Sequence, residues 1–343
     1  MKNSTPPAAH AAMLDLISGF HVSRALYIAS RLKLADLVHD GAVTSTELAA
    51  RTNKDAKSLY RVIRLLASAG VFSIDADERI SLTPLSETLL SDAQGSLGAW
   101  AISQIGDDPF RAWGGLMHSV STGEVAFDHV YGQDCWQYRA EHPDSARDFD
   151  EGMVGFISTH DNAVIASYPF AELKSVVDIG GGEGKLLTAL LAANPHMKGV
   201  LFEQARVIEK ARRRIAAAAM ASRCEAVAGD FFAAIPRGGD AYILSRVLHD
   251  WEDARAMEIL QNCRAAMAPG ARLLLIERVV PARIEPTPAM RAIAASDVHM
   301  MVMNGGQERT EAHYRALLEA AGLTLTRIVP AGSVMSVVEA RLA

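Results

Sequence analysis

Cysteine is scarce in this 343-residue chain: Cys135, Cys224 and Cys263 are odd in number and far apart. They make no CxxC pair and no zinc-ligand spacing, which excludes a disulfide framework and fits free thiols in a reducing cytoplasm. No stretch approaches the roughly 20 apolar residues that a spanning helix needs. The opening MKNSTPPAAHAAMLDLISGF lacks a cationic start leading into an apolar core, and Asp15 breaks its one candidate run. A secretory signal is therefore not expected. Excess positive charge is missing as well. A formal net charge of −6 gives no general attraction to nucleic acid or anionic membranes. The expectation is a cytoplasmic protein with neither as a partner.

What is present suffices for a large core: 50% of residues are hydrophobic and 22% charged, and the length suggests about two domains. Residues 11–165 read as helices and turns, residues 170–343 as alternating strands and helices. In the first half, Thr44-Ser-Thr-Glu47 has the form of a capping box. A helix follows in KDAKSLYRVIRLLASAGVF, with Leu59, Val62, Ile63, Leu65 and Leu66 on one face and Gly70 as its stop. Two short strand-like pieces then flank Asp75–Glu78. This is the winged-helix order, and it supports two readings. Either the second helix offers Lys54, Lys57, Arg61 and Arg64 to a DNA groove, or the module is a dimerisation unit with those cations in water.

In the second half, SVVDIG, KGVLFE, CEAVAGD, AYILSRVL and ARLLLIER read as strands, alternating with three helices. Repeated βα units imply a mostly parallel sheet covered on both faces. After Pro281 the pattern lapses until TEAHYRALLEAAG; LTLTRIVP and SVMSVVEARL, joined by Ala331-Gly332, should then pair antiparallel. The cations Lys210, Arg212, Arg213 and Arg214 read as a solvated helix face.

Phosphate-specific features are absent where glycine is dense. VVDIGGGEGKLL has Lys185 where the dinucleotide fingerprint wants its third glycine. It also lacks the glycine and hydroxyl that a phosphate loop would need at Ile179 and Leu186. Lys185 is read as a first-turn helix residue facing water. What remains is Asp178 followed by Gly180, Gly182 and Gly184, with Glu203 closing the next strand 25 residues on, where an acid can accept ribose hydroxyls. Asp230 follows the third strand and could take an adenine amino hydrogen while Phe231 or Phe232 packs on the ring. Singly, such acids are ordinary strand-end carboxylates. In order, they suit an adenosine compound with no phosphate and a positive charge, the form of S-adenosylmethionine.

His249 and Asp250 follow the fourth strand, and Glu277 and Glu308 could reach the same rim. A lone histidine there reads as structural; one oriented by carboxylates reads as a general base. It would take a hydroxyl proton as the oxygen attacks the sulfonium methyl, with no metal required.

VVDIGGGEG, LFEQARVIEKA, GDFF, LHDWED, LLLIERVVP and GGQERT, in this order, make nearly the whole chain resemble the class I S-adenosylmethionine-dependent O-methyltransferases. The resemblance is to the caffeic acid and acetylserotonin type and its bacterial small-molecule relatives. It implies an α/β, Rossmann-like sheet with an antiparallel last strand, preceded by a mainly α, winged-helix-like dimerisation domain. The implied division is 11–100 for dimerisation, 101–165 for a helical region contributing to the substrate pocket, and 166–343 for cofactor binding and catalysis. By position, His249 is the implied base with Glu277 and Glu308 steering it. Asp178, Gly180, Gly182, Glu203, Asp230, Phe231, Ser245 and Asp250 are the implied cofactor contacts, and Met300 and Asn304 the acceptor contacts. Met117, Met153 and Phe156 are further candidates for the pocket wall. Glu203 and Ser245 stand where the plant enzymes have aspartate and often lysine. The implied protein is a homodimer joined through its N-terminal domain, methylating a small aromatic or enolic hydroxyl compound. The alternatives are a non-methylating hydroxylase or decarboxylase on the same scaffold, and a winged-helix regulator that senses S-adenosylmethionine.

Overall fold

The computed structural model describes residues 7–93 and 95–343, with all their side chains but those of residues 7 and 155–160. The chain forms two compact units. One runs to Phe110 and includes Pro143–Phe156; the other comprises Arg111–His142 and Ile157–Ala343. Residues 101–165 are thus shared between them.

The first unit opens with a 25-residue helix, Pro7–Arg31. Its later half carries Ala25 and Ala29 into a core with Leu34, Leu48, Ile63, Leu66 and Ile80. Its earlier half leaves Met13, Leu14, Leu16, Ile17 and Phe20 53–63% exposed. The Thr44 hydroxyl accepts from the Glu47 amide and the Glu47 carboxylate accepts from the Thr44 amide, so the reciprocal cap of helix Ser45–Thr52 is present. In the next helix, Ala56–Ser68, Leu59, Ile63 and Leu66 are buried and Val62 partly so, but Leu65 is exposed. The first four positions follow the i, i+3, i+4, i+7 rule and Leu65 does not, so one helical face cannot hold all five. Strands β1 (Phe72–Ile74) and β2 (Ile80–Leu82) pair antiparallel, with Phe72 opposite Leu82. Lys54, Lys57, Arg61 and Arg64 are all exposed.

The second unit contains β3 (Ser175–Ile179), β4 (Lys198–Glu203), β5 (Cys224–Ala228), β6 (Ala241–Ser245), β7 (Arg272–Glu277), β8 (Val279–Val280), β9 (Arg309–Thr310), β10 (Leu323–Ala331) and β11 (Met335–Leu342). Seven of these form one sheet in the order β10-β11-β7-β6-β3-β4-β5. Strands β3 to β7 are mutually parallel, and β11 runs antiparallel to both β7 and β10. Because successive side chains alternate faces, Val177 and Leu244 enter one core and Val176 and Ile243 the other. The chain builds outward from β3 through β4 and β5, then restarts on the other side of β3 with β6. The loops beyond the carboxyl ends of β3 and β6 therefore diverge and leave a crevice, the usual place for a ligand in such sheets.

Two features were not legible in the sequence. The stretch after Pro281 holds a 16-residue helix, Pro288–Met303, capped by Thr287. Ser296, Asp297 and His299 interrupt its apolar pattern, so no stripe announces it. Beside it, β8 and β9 pair in parallel, Val279 opposite Arg309. That small ladder draws the end of β7 and the GGQERT segment together.

Candidate active site

At the end of β3 the backbone turns through Gly180 and Gly182, with φ of 66° and 57°, a region that only glycine enters freely. A Cβ on Gly181 would meet Asp178 Oδ2 at 2.4 Å and Leu201 Cδ1 at 2.5 Å, whereas Gly182 faces open space. The Glu203 carboxylate accepts from the Gly182 amide at 2.9 Å and from the Gln204 amide at 2.7 Å. It pins the turn and, having about four lone-pair positions, can still accept from hydroxyls. Asp230 is exposed and accepts from the Phe232 amide at 2.9 Å. Of the two phenylalanines, Phe231 lies toward the turn, 3.6 Å from where a Gly180 Cβ would stand. Phe232 instead sits 3.5 Å beneath the Arg255 guanidinium.

Several polar atoms around this turn are buried without a hydrogen-bond partner among the described residues: both carboxylate oxygens of Asp178, both of Asp161, and the Ser245 hydroxyl. Burial pushes Asp178 up to about 7, with Asp161 and Glu203 adding repulsion. It pushes Asp161 up to about 6, against the pull of Arg246, whose guanidinium is 3.7 Å away. Native proteins leave few such groups unpaired, and their clustering asks for a ligand. Acceptor oxygens for an ammonium and for hydroxyls, a backbone without side chains, and an aromatic wall fit the amino-acid tail and nucleoside of S-adenosylmethionine.

Two expectations about charge need correction here. Lys185 does not simply face water: it is partly buried, burial lowers its pKa, and Asp161 opposes that shift. Arg214 does not belong to a solvated face, since it pairs at 2.7 Å with Glu183 of the glycine stretch.

His249 lies in a short turn just beyond β6 and is 6% exposed. Its Nδ1 is 3.1 Å from Glu308 Oε1 and 3.7 Å from Glu277 Oε2. Glu277 is fully buried at the end of β7 and accepts from the Val247 and Leu248 amides at 3.1 and 2.9 Å. The carboxylate thus fixes the backbone that leads into His249 as well as facing the ring. Glu308 Oε1 accepts in addition from Arg278 at 3.2 Å and Ser296 at 2.6 Å. With Nδ1–H committed to Glu308, Nε2 is the nitrogen left to take a proton; its nearest acid is Asp250, at 3.6 Å. Burial alone would lower the imidazole's pKa, but Glu277, Glu308 and Asp250 outweigh it and raise the pKa to about 9. Burial acts on Glu277 in the upward direction, whereas His249 and Arg278 hold Glu308 down at about 2 in spite of burial.

The two acceptor candidates sit together at the end of helix Pro288–Met303. Asn304 donates to Asp250 at 2.9 Å and lies against the Met300 sulfur at 3.9 Å. Met117 is 73% exposed, Met153 is partly buried within the other unit, and the Phe156 side chain lies outside the described residues.

His249, Glu277 and Glu308 also offer three ligand atoms within 4.8 Å of one another, a spacing that a metal ion could use. The Glu308 oxygen, however, already accepts from an imidazole, a guanidinium and a hydroxyl, and the guanidinium supplies the local positive charge.

Arg278 and Ser296 were missed at the sequence level, as was Arg309. The fully buried Arg309 guanidinium donates to the Leu248 carbonyl at 2.9 Å and the Trp251 carbonyl at 2.7 Å, clamping the turn on both sides of His249. Gly306 completes the clamp. A Cβ there would stand 2.0 Å from the His249 carbonyl oxygen and 2.6 Å from the Asp250 carbonyl carbon, both backbone atoms. Gly306→Ala must therefore displace the histidine. Since misplacement by about 1 Å can cost 10²-fold, steady-state kinetics should show turnover reduced by about 10- to 100-fold, with cofactor binding retained.

Comparison with known proteins gives the family. Residues 113–324 match the O-methyltransferase domain and residues 14–92 the O-methyltransferase dimerisation domain. The chain is 42% identical to a phenazine O-methyltransferase of Lysobacter antibioticus, over 96% of this chain and 95% of that protein. It is 32% identical to a phenazine-1-carboxylate N-methyltransferase of Pseudomonas aeruginosa, over 96% of each. The solved structure of a mitomycin 7-O-methyltransferase superposes with a TM-score of 0.90 at 37% identity, covering 98% of both chains. An O-methyltransferase from neocarzinostatin biosynthesis, solved with S-adenosylmethionine and 2-hydroxy-5-methyl naphthoic acid, gives 0.82 at 31% identity over 94% of this chain and 96% of that one. The chain belongs to the S-adenosylmethionine-dependent O-methyltransferase family of secondary-metabolite biosynthesis and carries that family's dimerisation domain.

Proposed function

We propose that this protein methylates a hydroxyl of a small aromatic or enolic metabolite, with His249 as general base and without a metal ion. The observation that carries the reading is the imidazole held by two buried carboxylates through Nδ1, with Nε2 left to receive a proton. S-adenosylmethionine, when bound, supplies a methyl group already activated by its sulfonium. Asp178, Gly180, Gly182, Glu203, Asp230, Phe231, Ser245 and Asp250 are the residues proposed to hold it. The protein's own chemical task is then to place the acceptor oxygen and remove its proton. A phenol with a pKa of about 10 lies roughly 3.5 units, or about 5 kcal/mol, above an ordinary histidine. With the imidazole at about 9, the gap narrows to roughly 1.4 kcal/mol.

Relatives on this scaffold also methylate nitrogen. An amine or ring nitrogen attacks with its own lone pair and needs no base beforehand, so an imidazole backed by carboxylates favours a hydroxyl. The presence of His249 with both acids also favours methyl transfer over a non-methylating reaction. A panel of phenolic acceptors, assayed by S-adenosylhomocysteine formation, tests the assignment; no product with any of them would sink it.

Dimer formation is proposed to run through helix Pro7–Arg31. Met13, Leu14, Leu16, Ile17 and Phe20 form an apolar stretch, more than half exposed, of the kind that marks an interaction surface. The double change Leu16→Asp, Ile17→Asp should halve the mass measured by light scattering; an unchanged mass places the interface elsewhere. The buried, unpaired thiols of Cys135, Cys224 and Cys263 suit a reducing cytoplasm.

A further inference from the structure

Helix Pro288–Met303 carries a second histidine toward the catalytic cluster. Ser296, whose hydroxyl holds Glu308, shares one helical face with His299 and Met300, three and four residues on. The neighbouring positions Val298 and Val302 pack into an apolar cluster with Trp113, Leu116, Trp136 and Tyr138, and His299, which meets Trp113, stands between that cluster and the Ser296 face. His299 therefore borders the face that carries Ser296 and Met300, one residue from the Met300 position. Its charge environment agrees, because Arg139, His249 and Arg278 are its electrostatic neighbours.

The protonation of this ring is set by its partner. The Trp113 indole nitrogen lies 3.0 Å from His299 Nδ1. An indole N–H can only donate, so Nδ1 must accept, and the single proton of the neutral ring sits on Nε2. Burial and the three neighbouring cations keep the ring neutral, with its pKa lowered to about 4. Among the described residues Nε2 has no hydrogen-bond partner, nor is it among the atoms sealed from solvent without one. A fixed, neutral N–H donor thus stands open beside a base that is itself committed to another task.

We infer that His299 determines acceptor specificity: its Nε2–H binds a carboxylate or carbonyl oxygen carried on the acceptor ring next to the hydroxyl that is methylated. This rests on the hydroxyl-methylating reading above and adds the substrate class. An acceptor oxygen at that place answers the N–H directly. A plain phenol leaves the donor unanswered, and a site built to hydrogen-bond a group discriminates against ligands that lack it.

The test uses 3-hydroxy-2-naphthoate and 2-naphthol, which differ by one carboxylate. Affinities are measured by calorimetry on the full-length protein saturated with S-adenosylhomocysteine, and kcat/KM with S-adenosylmethionine. The ratio between the two compounds, taken in each variant, cancels their intrinsic difference in hydroxyl acidity. The wild type should prefer the naphthoate. His299→Leu, with no donor, should shrink the ratio by about 10- to 100-fold, the range for one buried hydrogen bond. His299→Gln keeps an amide N–H for the ligand and a carbonyl for Trp113, and should restore most of it. A wild type without preference, a ratio unmoved by His299→Leu, or a Gln variant as poor as Leu each overturns the proposal. Should the Leu variant fail to bind S-adenosylhomocysteine, Trp113→Phe decides: without the indole the proton is no longer assigned to Nε2, and the ratio must fall. Preferential binding that depends on His299, but with neither compound methylated, would fault the hydroxyl assignment and leave His299 standing. Both compounds methylated with equal preference would do the reverse.

Discussion

Replacing His249 by alanine is expected to lower turnover by about 10²–10⁴, the usual loss for a general base, while cofactor affinity survives. The expectation follows from how separate the two sets of contacts are. The glycine turn and Glu203 are tied to β3 and β4 by their own hydrogen bonds, and removing the imidazole touches none of them. The pH profile gives a second, independent reading. Because the carboxylates raise the imidazole's pKa to about 9, it is protonated and cannot act as a base at lower pH. The kcat/KM for the acceptor should therefore rise with pH along a limb whose midpoint lies above the ordinary histidine value of about 6.5. In the alanine variant that limb should vanish, leaving only the ionisation of the acceptor hydroxyl. Turnover and pH profile both unchanged would make His249 a structural residue and leave positioning of the acceptor as the source of rate.

How much of this was readable beforehand depended on whether the signal was local. The parallel strands announced themselves as apolar runs because both their faces are covered. Glu203 and Asp230 could be found because each sits one or two residues past such a run, and His249 because it follows the end of β6 by four residues. Glu308 was found through its motif, but what brings it to Glu277 is the ladder of β8 and β9, two residues a side, which no periodicity reveals. Arg278, Ser296 and Arg309 were missed for a related reason. A buried arginine looks in sequence like a surface one, and only its partners, 30 residues away for Arg278 and 61 for the Arg309–Leu248 contact, give it meaning. Helix Pro288–Met303 was missed because Ser296 and Asp297, which break its apolar pattern, bond to Glu308 of the site. There function had overwritten the structural signal, as local rules are expected to fail at functional sites.

Removing Glu308 should produce the largest loss of stability among single changes at this site. Its Oε1 accepts from His249, Arg278 and Ser296, and its amide donates to the Asp297 carboxylate at 2.9 Å. Glu308→Leu keeps the amide bond but takes the carboxylate away from a buried guanidinium and an imidazole N–H. Breaking one side of a buried ion pair costs about 3–5 kcal/mol. At roughly 2–4 °C per kcal/mol for a unit of this size, calorimetry should show Tm lower by about 6–20 °C. The carboxyl's own titration gives a similar magnitude: a fall from 4.5 to about 2 corresponds to about 3 kcal/mol. The sign is that of a depressed acid. The stabilisation is complete above pH 4.5, the unfolded value, and is lost as the pH falls toward 2, so the wild type should lose Tm in that window and Glu308→Leu should lose less. The raised imidazole is the other side of the same interaction, and its share of stability is lost as the pH rises through about 9. Glu308→Gln separates geometry from charge. Its carbonyl can still accept from Nδ1, but without the negative charge the imidazole loses basicity. The rising limb of the pH profile should then move to lower pH and level off at a slower rate, because a weaker base is farther from the pKa of the hydroxyl it must deprotonate. A limb that stays in place in the Gln variant would mean that Glu277 and Asp250 alone set the basicity of His249.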